Sequence, residues 1–431
     1  MDSVLLPTEI EFYIDTMKPQ DMENLGTRQW LEWHQRLQKL NQEALIEASA
    51  VKEEYVKEIL ISLGKVNILI YEAILVNIWK HKVLPHLLKM QPYPESTMIA
   101  YSILYHEAVC VTLLELVTFH GSCCEAMEDS ALDLLDYTCG LASRLLSVKY
   151  QEMNTKESAK QELGRQRDNL DFDIGIKSLS IIRYICESME RLVHYYLTPL
   201  SVCSNIYTQH DIPTLFIEIL RNKPWIKEDK QYSTGKWIQW DGEAVCNPAA
   251  QIWLTLRHLL LDQACPQYYP ITETRKVQLL NLLSLLTPVI LDQLSPLIEL
   301  KQWLSQISIT QQPSAPPRPI LLEVCLEIKE KILHQAGGKW KEIAKEQLPV
   351  IFNNQKDFLV ESAKILNEAY NTDLLEKFDV KTLYLVQNVV KIPFNDVPAV
   401  KGHGTVQENV KLCIGPNIKK IVNKLKTRRY N

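Results

Sequence analysis

The stretch "RQWLEWHQRLQKLNQEALIEA", beginning at Arg28, constrains the fold more than any other. Trp30, Trp33, Leu37, Leu40, Ala44 and Ala48 recur at spacings of three and four, which places them on one stripe of a long helix. Arg28, Glu32, Arg36 and Lys39 face elsewhere, and Glu32 with Arg36 forms an i,i+4 pair of opposite charge, expected to add about 0.3 kcal/mol. No stretch of similar length alternates with period two, so strands are expected to be minor. Glycine agrees: 13 in 431 residues is about half the usual share of about 7%, which disfavours folds built on glycine-rich βα loops or many hairpins. The expectation is an all-α, armadillo/HEAT-like superhelix.

Two sites mark helix starts after a short turn. "LGKVNILI" has Gly64 as the break, followed by Val66, Leu69 and Ile70 at helical spacing. "HDIPTLFIEIL" offers Asp211 as an N-cap and Pro213 in the first turn, where a missing N–H is harmless. Both resemble the start of the third helix of an armadillo repeat. The interval between them sets no strict period.

The breaks divide the chain. Residues 1–310 form the helical array. Within it, 149–169 is a charged connection or exposed helix extension, and 222–248, with Trp225, Trp237 and Trp240, is a non-helical insertion built as an ordered loop or small hairpin. "QQPSAPPRP" is a proline-rich linker, 311–319, that cannot be helical. A short helical segment follows over 320–376, and then a divergent basic tail, 377–431, expected to be weakly ordered.

Apolar residues at 46% promise a sizeable core, and a net charge of −5 points to neither nucleic acid nor an anionic membrane as the main partner. The acidic start "MDSVLLPTEIEFYIDTM" shows no signal-peptide pattern. The most apolar segment, Ile59–Trp79, is interrupted by Lys65, Asn67 and Glu72, so a buried helix pair is expected there and no membrane span. The ten cysteines include no CxxC and are expected to be free buried thiols.

The strongest candidate for chemistry is "YHEAVCVTLLELVTFHGSCC", Tyr105 to Cys124. "PEST" before it supplies Ser96 or Thr97 as a cap, and Gly121 is a natural C′ residue, so Met98 to His120 reads as one helix. At 1.5 Å per residue His106 and His120 lie about 21 Å apart along its axis and cannot share a metal. "HE" at 106–107 invites comparison with HExxH, but Cys110 stands where the second histidine belongs. His106 and Cys110 share a face with Leu113, Leu114 and Val117, which is core composition. Cys123 and Cys124 fall at the start of the next helix, whose buried face reads Leu134, Leu135, Leu141, Ala142 and Leu145. His120, Cys123 and Cys124 fall short of the four well-spaced donors of a structural zinc site. The stretch is expected to be two antiparallel helices joined at a glycine. "GGKW" (Gly337, Gly338, Lys339, Trp340) resembles a phosphate loop only superficially, because tryptophan replaces the required Ser or Thr. Trp340, Ile343, Ala344 and Leu348 form a helix face expected to pack internally. No catalytic, cofactor-binding or metal-binding residues are assigned.

Together, "LQKLN" (37–41), "GKVNILI" (64–70), "HEA" with "LLE" (106–115), "EDSALDLLDY" (128–137), "DFDIGIKSLSIIRYI" (171–185), "IWLTLRHLLL" (252–261), "LDQLSPLIELKQWLSQISIT" (291–310) and "GKWKEIAKEQL" (338–348) resemble the zinc finger MYND domain-containing protein 10 family, in order from about Glu9 to Glu376. That resemblance implies a cytoplasmic assembly factor for axonemal dynein arms. It implies as partners a leucine-rich-repeat assembly factor, the ninety-kilodalton heat-shock chaperone, an FK506-binding prolyl isomerase and axonemal dynein chains. The family carries a MYND finger with seven cysteines and one histidine on two zinc ions. After Glu376 this chain offers only His403 and Cys413, so no residue inherits a zinc role. Other readings are a transcriptional or tumour-suppressor-like scaffold of the MYND class, and a metalloenzyme using His106, Glu107 and Cys110.

Overall fold

A computed structural model of the chain describes residues 5–50, 53–151, 157–188, 203–233, 236–240, 242, 244–263, 265–309, 326–353 and 356–368. The proline-rich 311–319 and the tail 377–431 lie outside the described residues.

Helix follows helix. The first is α1 (Pro7–Asp15), which begins with proline and whose Glu9 side chain accepts from the Leu6 amide at 2.8 Å. A 3₁₀ turn, Met22–Asn24, leads to α2 (Arg28–Ala50), on which all six residues of the expected stripe are buried. Glu32 pairs not with Arg36 but with Arg28, at 3.3 Å. Arg36 lies instead over the Tyr13 ring, 5.6 Å from its centroid. A cation over a ring and a surface ion pair are of similar worth, so packing against α1 decides the choice.

Next come α3 (Tyr55–Ser62) and α4 (Val66–Lys82), bent by 92° at the break holding Gly64, whose φ of +62° is natural to glycine. This is the expected buried helix pair. After α5 (Leu84–Met90) runs α6 (Met98–Thr118), the one described unbroken helix long and apolar enough to cross a membrane; 89% of its most apolar stretch is buried inside the fold. Then follow α7 (Gly121–Met127), α8 (Ser130–Arg144) and α9 (Ala159–Glu187). One boundary is corrected here. Gly121 is not a C′ residue: it opens α7, a short extra helix that carries Cys123 and Cys124 before α8 begins. Of the two readings of 149–169, the helix extension describes residues 159–169: Ser158 caps α9 by accepting from the Gln161 amide, and Gln161 returns a bond to the Ser158 N–H at 2.9 Å.

A π turn, Asn205–Gln209, precedes α10 (Ile212–Asn222), which Asp211 caps as expected by accepting from the Thr214 amide at 3.2 Å. The Trp-rich insertion is a three-stranded antiparallel sheet, β1 (Ile226–Lys227), β2 (Lys230–Ser233) and β3 (Lys236–Gln239), in that order. Tyr232 opposes Trp237, and the two rings pack with Phe172 of α9 and Tyr150 into one aromatic cluster that fastens the sheet to the helices. The array continues through α11 (Asn247–Leu261), α12 (Cys265–Tyr268), α13 (Glu273–Leu285), α14 (Pro288–Gln293) and α15 (Leu297–Ile309). Last come α16 (Glu327–Ala336), α17 (Trp340–Ile351) and α18 (Lys356–Glu368).

The packing order makes this an all-helical superhelix. Helix α4 lies on α6, α6 on α9, α9 on α11, and α11 on α15, with α2 and α8 flanking the row. The buried apolar residues of these helices belong to one cluster, so the hydrophobic core is continuous along the array.

Candidate functional site

The charged residues at the centre of the array are the least expected feature. Lys80 of α4, about 2% exposed at its side chain, donates to Glu107 of α6 at 2.6 Å and also to Asp171 of α9. Glu107 accepts two further bonds on its other oxygen, from Asn77 and from the Tyr137 hydroxyl of α8, each at 2.8 Å. Four helices thus meet on one ammonium and two carboxylates. Burial, and then the neighbouring Glu107 charge, push the Tyr137 hydroxyl well above its ordinary range, so it serves as a donor.

His106, the residue before Glu107, belongs to a second buried set. His34 of α2 and His106 are hydrogen-bonded through their Nδ1 atoms at 2.8 Å, and His106 reaches Glu72 of α4 through Nε2 at 3.3 Å. Glu72 also accepts from the Gln20 amide at 2.6 Å, which holds the chain before α2 against α4. Burial, and then His106, push the His34 imidazole well below its usual range. Its ring stacks on Trp30, 5.1 Å between centroids.

The motif "YHEAVC…HGSCC" is therefore taken apart by the fold. His106 belongs to the histidine pair, Glu107 to the lysine cluster, and Cys110 to the apolar core. His120 bonds Glu54 at the mouth of α3, beside Lys57, whose ammonium is 2.5 Å from the same carboxylate. Burial opposes ionisation of Glu54, but the bonds from His120 and Lys57 outweigh it and hold the carboxyl at about 2. Cys123 and Cys124 are buried in α7, and burial drives the Cys123 thiol well up. Among the described residues no three His, Cys, Asp or Glu side chains converge as metal ligands would.

Sequence reading missed Lys80, Asp171, His34 and Glu72. The available signal was a charge set on an apolar helix face: Lys80 follows Val76 by one turn, and Glu107 follows Ile103. Partners 27 and 91 positions from Lys80 cannot be paired by spacing alone.

The helices after the linker close on the beginning of the chain. Gln347 of α17, 3% exposed, accepts from Trp79 Nε1 at 2.8 Å and donates to the Met22 carbonyl at 2.5 Å. Leu326 leaves the start of α16 without a side-chain cap, and Asp133 of α8 supplies one by accepting from the Lys329 amide at 3.2 Å. Lys329 Nζ pairs with Asp136 at 2.9 Å, and Glu361 of α18 with Arg28 at 2.8 Å. Gly337 and Gly338, at φ +53° and +72°, turn α16 into α17. The "GGKW" run is thus a helix–helix turn, and Trp340, Ile343, Ala344 and Leu348 pack internally as expected.

No protein-family model matches the chain. No solved structure matches it. It is 36% identical over 383 residues to the zinc finger MYND domain-containing protein 10 homolog of Drosophila melanogaster, covering 86% of this chain and 83% of that one. Identity of that depth across 86% of the chain identifies its kind: the chain belongs to the zinc finger MYND domain-containing protein 10 family.

Proposed function

We propose that this protein is a non-enzymatic cytoplasmic assembly factor that holds inner and outer axonemal dynein arm polypeptides while they mature, and so is needed for cilium motility. The observation that carries the reading is the 36% identity across 86% of the chain, laid over a helical array in which the buried Lys80 is paired with Glu107 and Asp171. Arrays of this kind work by presenting extended surface to other polypeptides. The proposed partners are a leucine-rich-repeat assembly factor, the ninety-kilodalton chaperone, an FK506-binding prolyl isomerase and dynein chains.

The two zinc ions of the family do not fit these residues. Beyond Glu376 the chain has His403 and Cys413 as its only soft donors, and two four-coordinate sites need eight donors unless some are shared. Contacts that a finger would make are left out of the proposal for this chain.

The test is removal of the protein from ciliating cells and its return as this chain. Loss of both arm types from axonemes, seen by electron microscopy and restored on return, is the expected result. Axonemes with intact arms after removal would overturn the reading.

A further inference from the structure

Phe12 faces the wrong way for an aromatic residue. Ile10 and Ile14 form the buried face of α1, and Phe12, two positions after Ile10, projects about 200° round the helix from it. Phe12 is 57% exposed, and Leu6, just before the helix, is 63% exposed. Leu63 is 39% exposed at the α3–α4 turn, which Lys65 ties to α1 by donating to the Asp15 carbonyl at 2.8 Å. Glu11 and Asp15 share the outer side of α1, and neither enters an ion pair among the described residues. The face combines apolar anchors with unpaired negative charge.

The matching chemistry lies in the same chain. Residues 411–431 hold Lys411, Lys419, Lys420, Lys424, Lys426, Arg428 and Arg429 and no Asp or Glu. Ile418, Ile421, Val422 and Leu425 recur there at i, i+3, i+4 and i+7, the spacing of an apolar helical stripe. With seven of the 47 basic residues in that run and none of the 52 acidic ones, the rest of the chain carries twelve more acidic than basic side chains. The run lies outside the described residues. The described fold ends at Glu368 in α18, which packs on α2, the helix that also carries α1. The chain from there to Lys411 spans up to about 140 Å when extended, so reach sets no limit.

We propose that the outer face of α1 docks the chain's own basic run 411–431, with Phe12 and Leu6 as apolar anchors and Glu11 and Asp15 as counter-charges. Docking in cis covers this face and makes it available only to a partner that outcompetes the run. The proposal is independent of the dynein reading.

The test uses the full chain. Trypsin releases peptides from 411–431, and their release at low salt is followed by mass spectrometry in the parent, in Phe12→Ser, and in Glu11→Gln/Asp15→Asn. All three substitutions are at exposed positions, and circular dichroism confirms that helix content is kept. Release about fivefold or more faster in both variants than in the parent is expected, because cleavage tracks the undocked population. The gap should narrow at high salt as the ionic part is screened. Equal release from parent and variants overturns the proposal. So does protection that rises with protein concentration, which would place the run on a second copy.

Discussion

Lys80 is a cation that the fold buries only because two carboxylates come with it. In Lys80→Met the methionine fills similar space but leaves Glu107 and Asp171 facing each other without a counter-charge. The expected loss in urea unfolding is about 3–5 kcal/mol, the usual result of removing one partner from a buried pair. A loss under about 1 kcal/mol would show that the cluster is solvated. Glu47 of α2 gives a pH signature. It accepts from the Val56 amide at 3.1 Å, and burial outweighs that bond and raises its carboxyl to about 7. Because the folded state holds this proton more tightly than the unfolded chain, its stabilising contribution is full below about pH 4.5 and lost as pH rises through 7. Glu54 works in the opposite sense, its contribution lost only as pH falls toward 2, outside that window. The melting temperature of the parent should therefore fall more between pH 5 and pH 8 than that of Glu47→Gln. Parallel curves would contradict the assignment.

At the scale of elements, legibility followed periodicity. The stripe on α2, the break at Gly64 and the Asp211 cap are local signals, and each stands in the structure where three- and four-residue spacing put it. The boundary at Gly121 failed because glycine ends helices more often than it starts them, and the bend into α7 is set by packing between α6, α3 and α4. The buried clusters were invisible for a different reason: their members sit on separate helices, and only tertiary packing brings them together. The clasp formed by α16, α17 and α18 was unreadable on the same ground. It rests on Gln347, so Gln347→Ala leaves Trp79 Nε1 and the Met22 carbonyl without that partner, a loss of about 1–3 kcal/mol. Hydrogen exchange should then rise in α16 and α17 while α11 to α15 keep their protection. A uniform rise along the chain would show that the clasp and the array unfold as one unit.

For the whole molecule, the row α4, α6, α9, α11, α15 is a scaffold in which one buried charge cluster, Lys80 with Glu107 and Asp171, ties α4, α6 and α9 together. The last three helices fasten to the first third of the chain, so both termini of the described fold meet on α2. The proposal that its surface holds dynein polypeptides rests on family membership. Affinity purification of the full chain from ciliating cells, with quantitative mass spectrometry of what accompanies it, tests this most directly. Dynein heavy and intermediate chains enriched together with the ninety-kilodalton chaperone are the expected result; a folded, expressed chain recovered without any dynein subunit would contradict it.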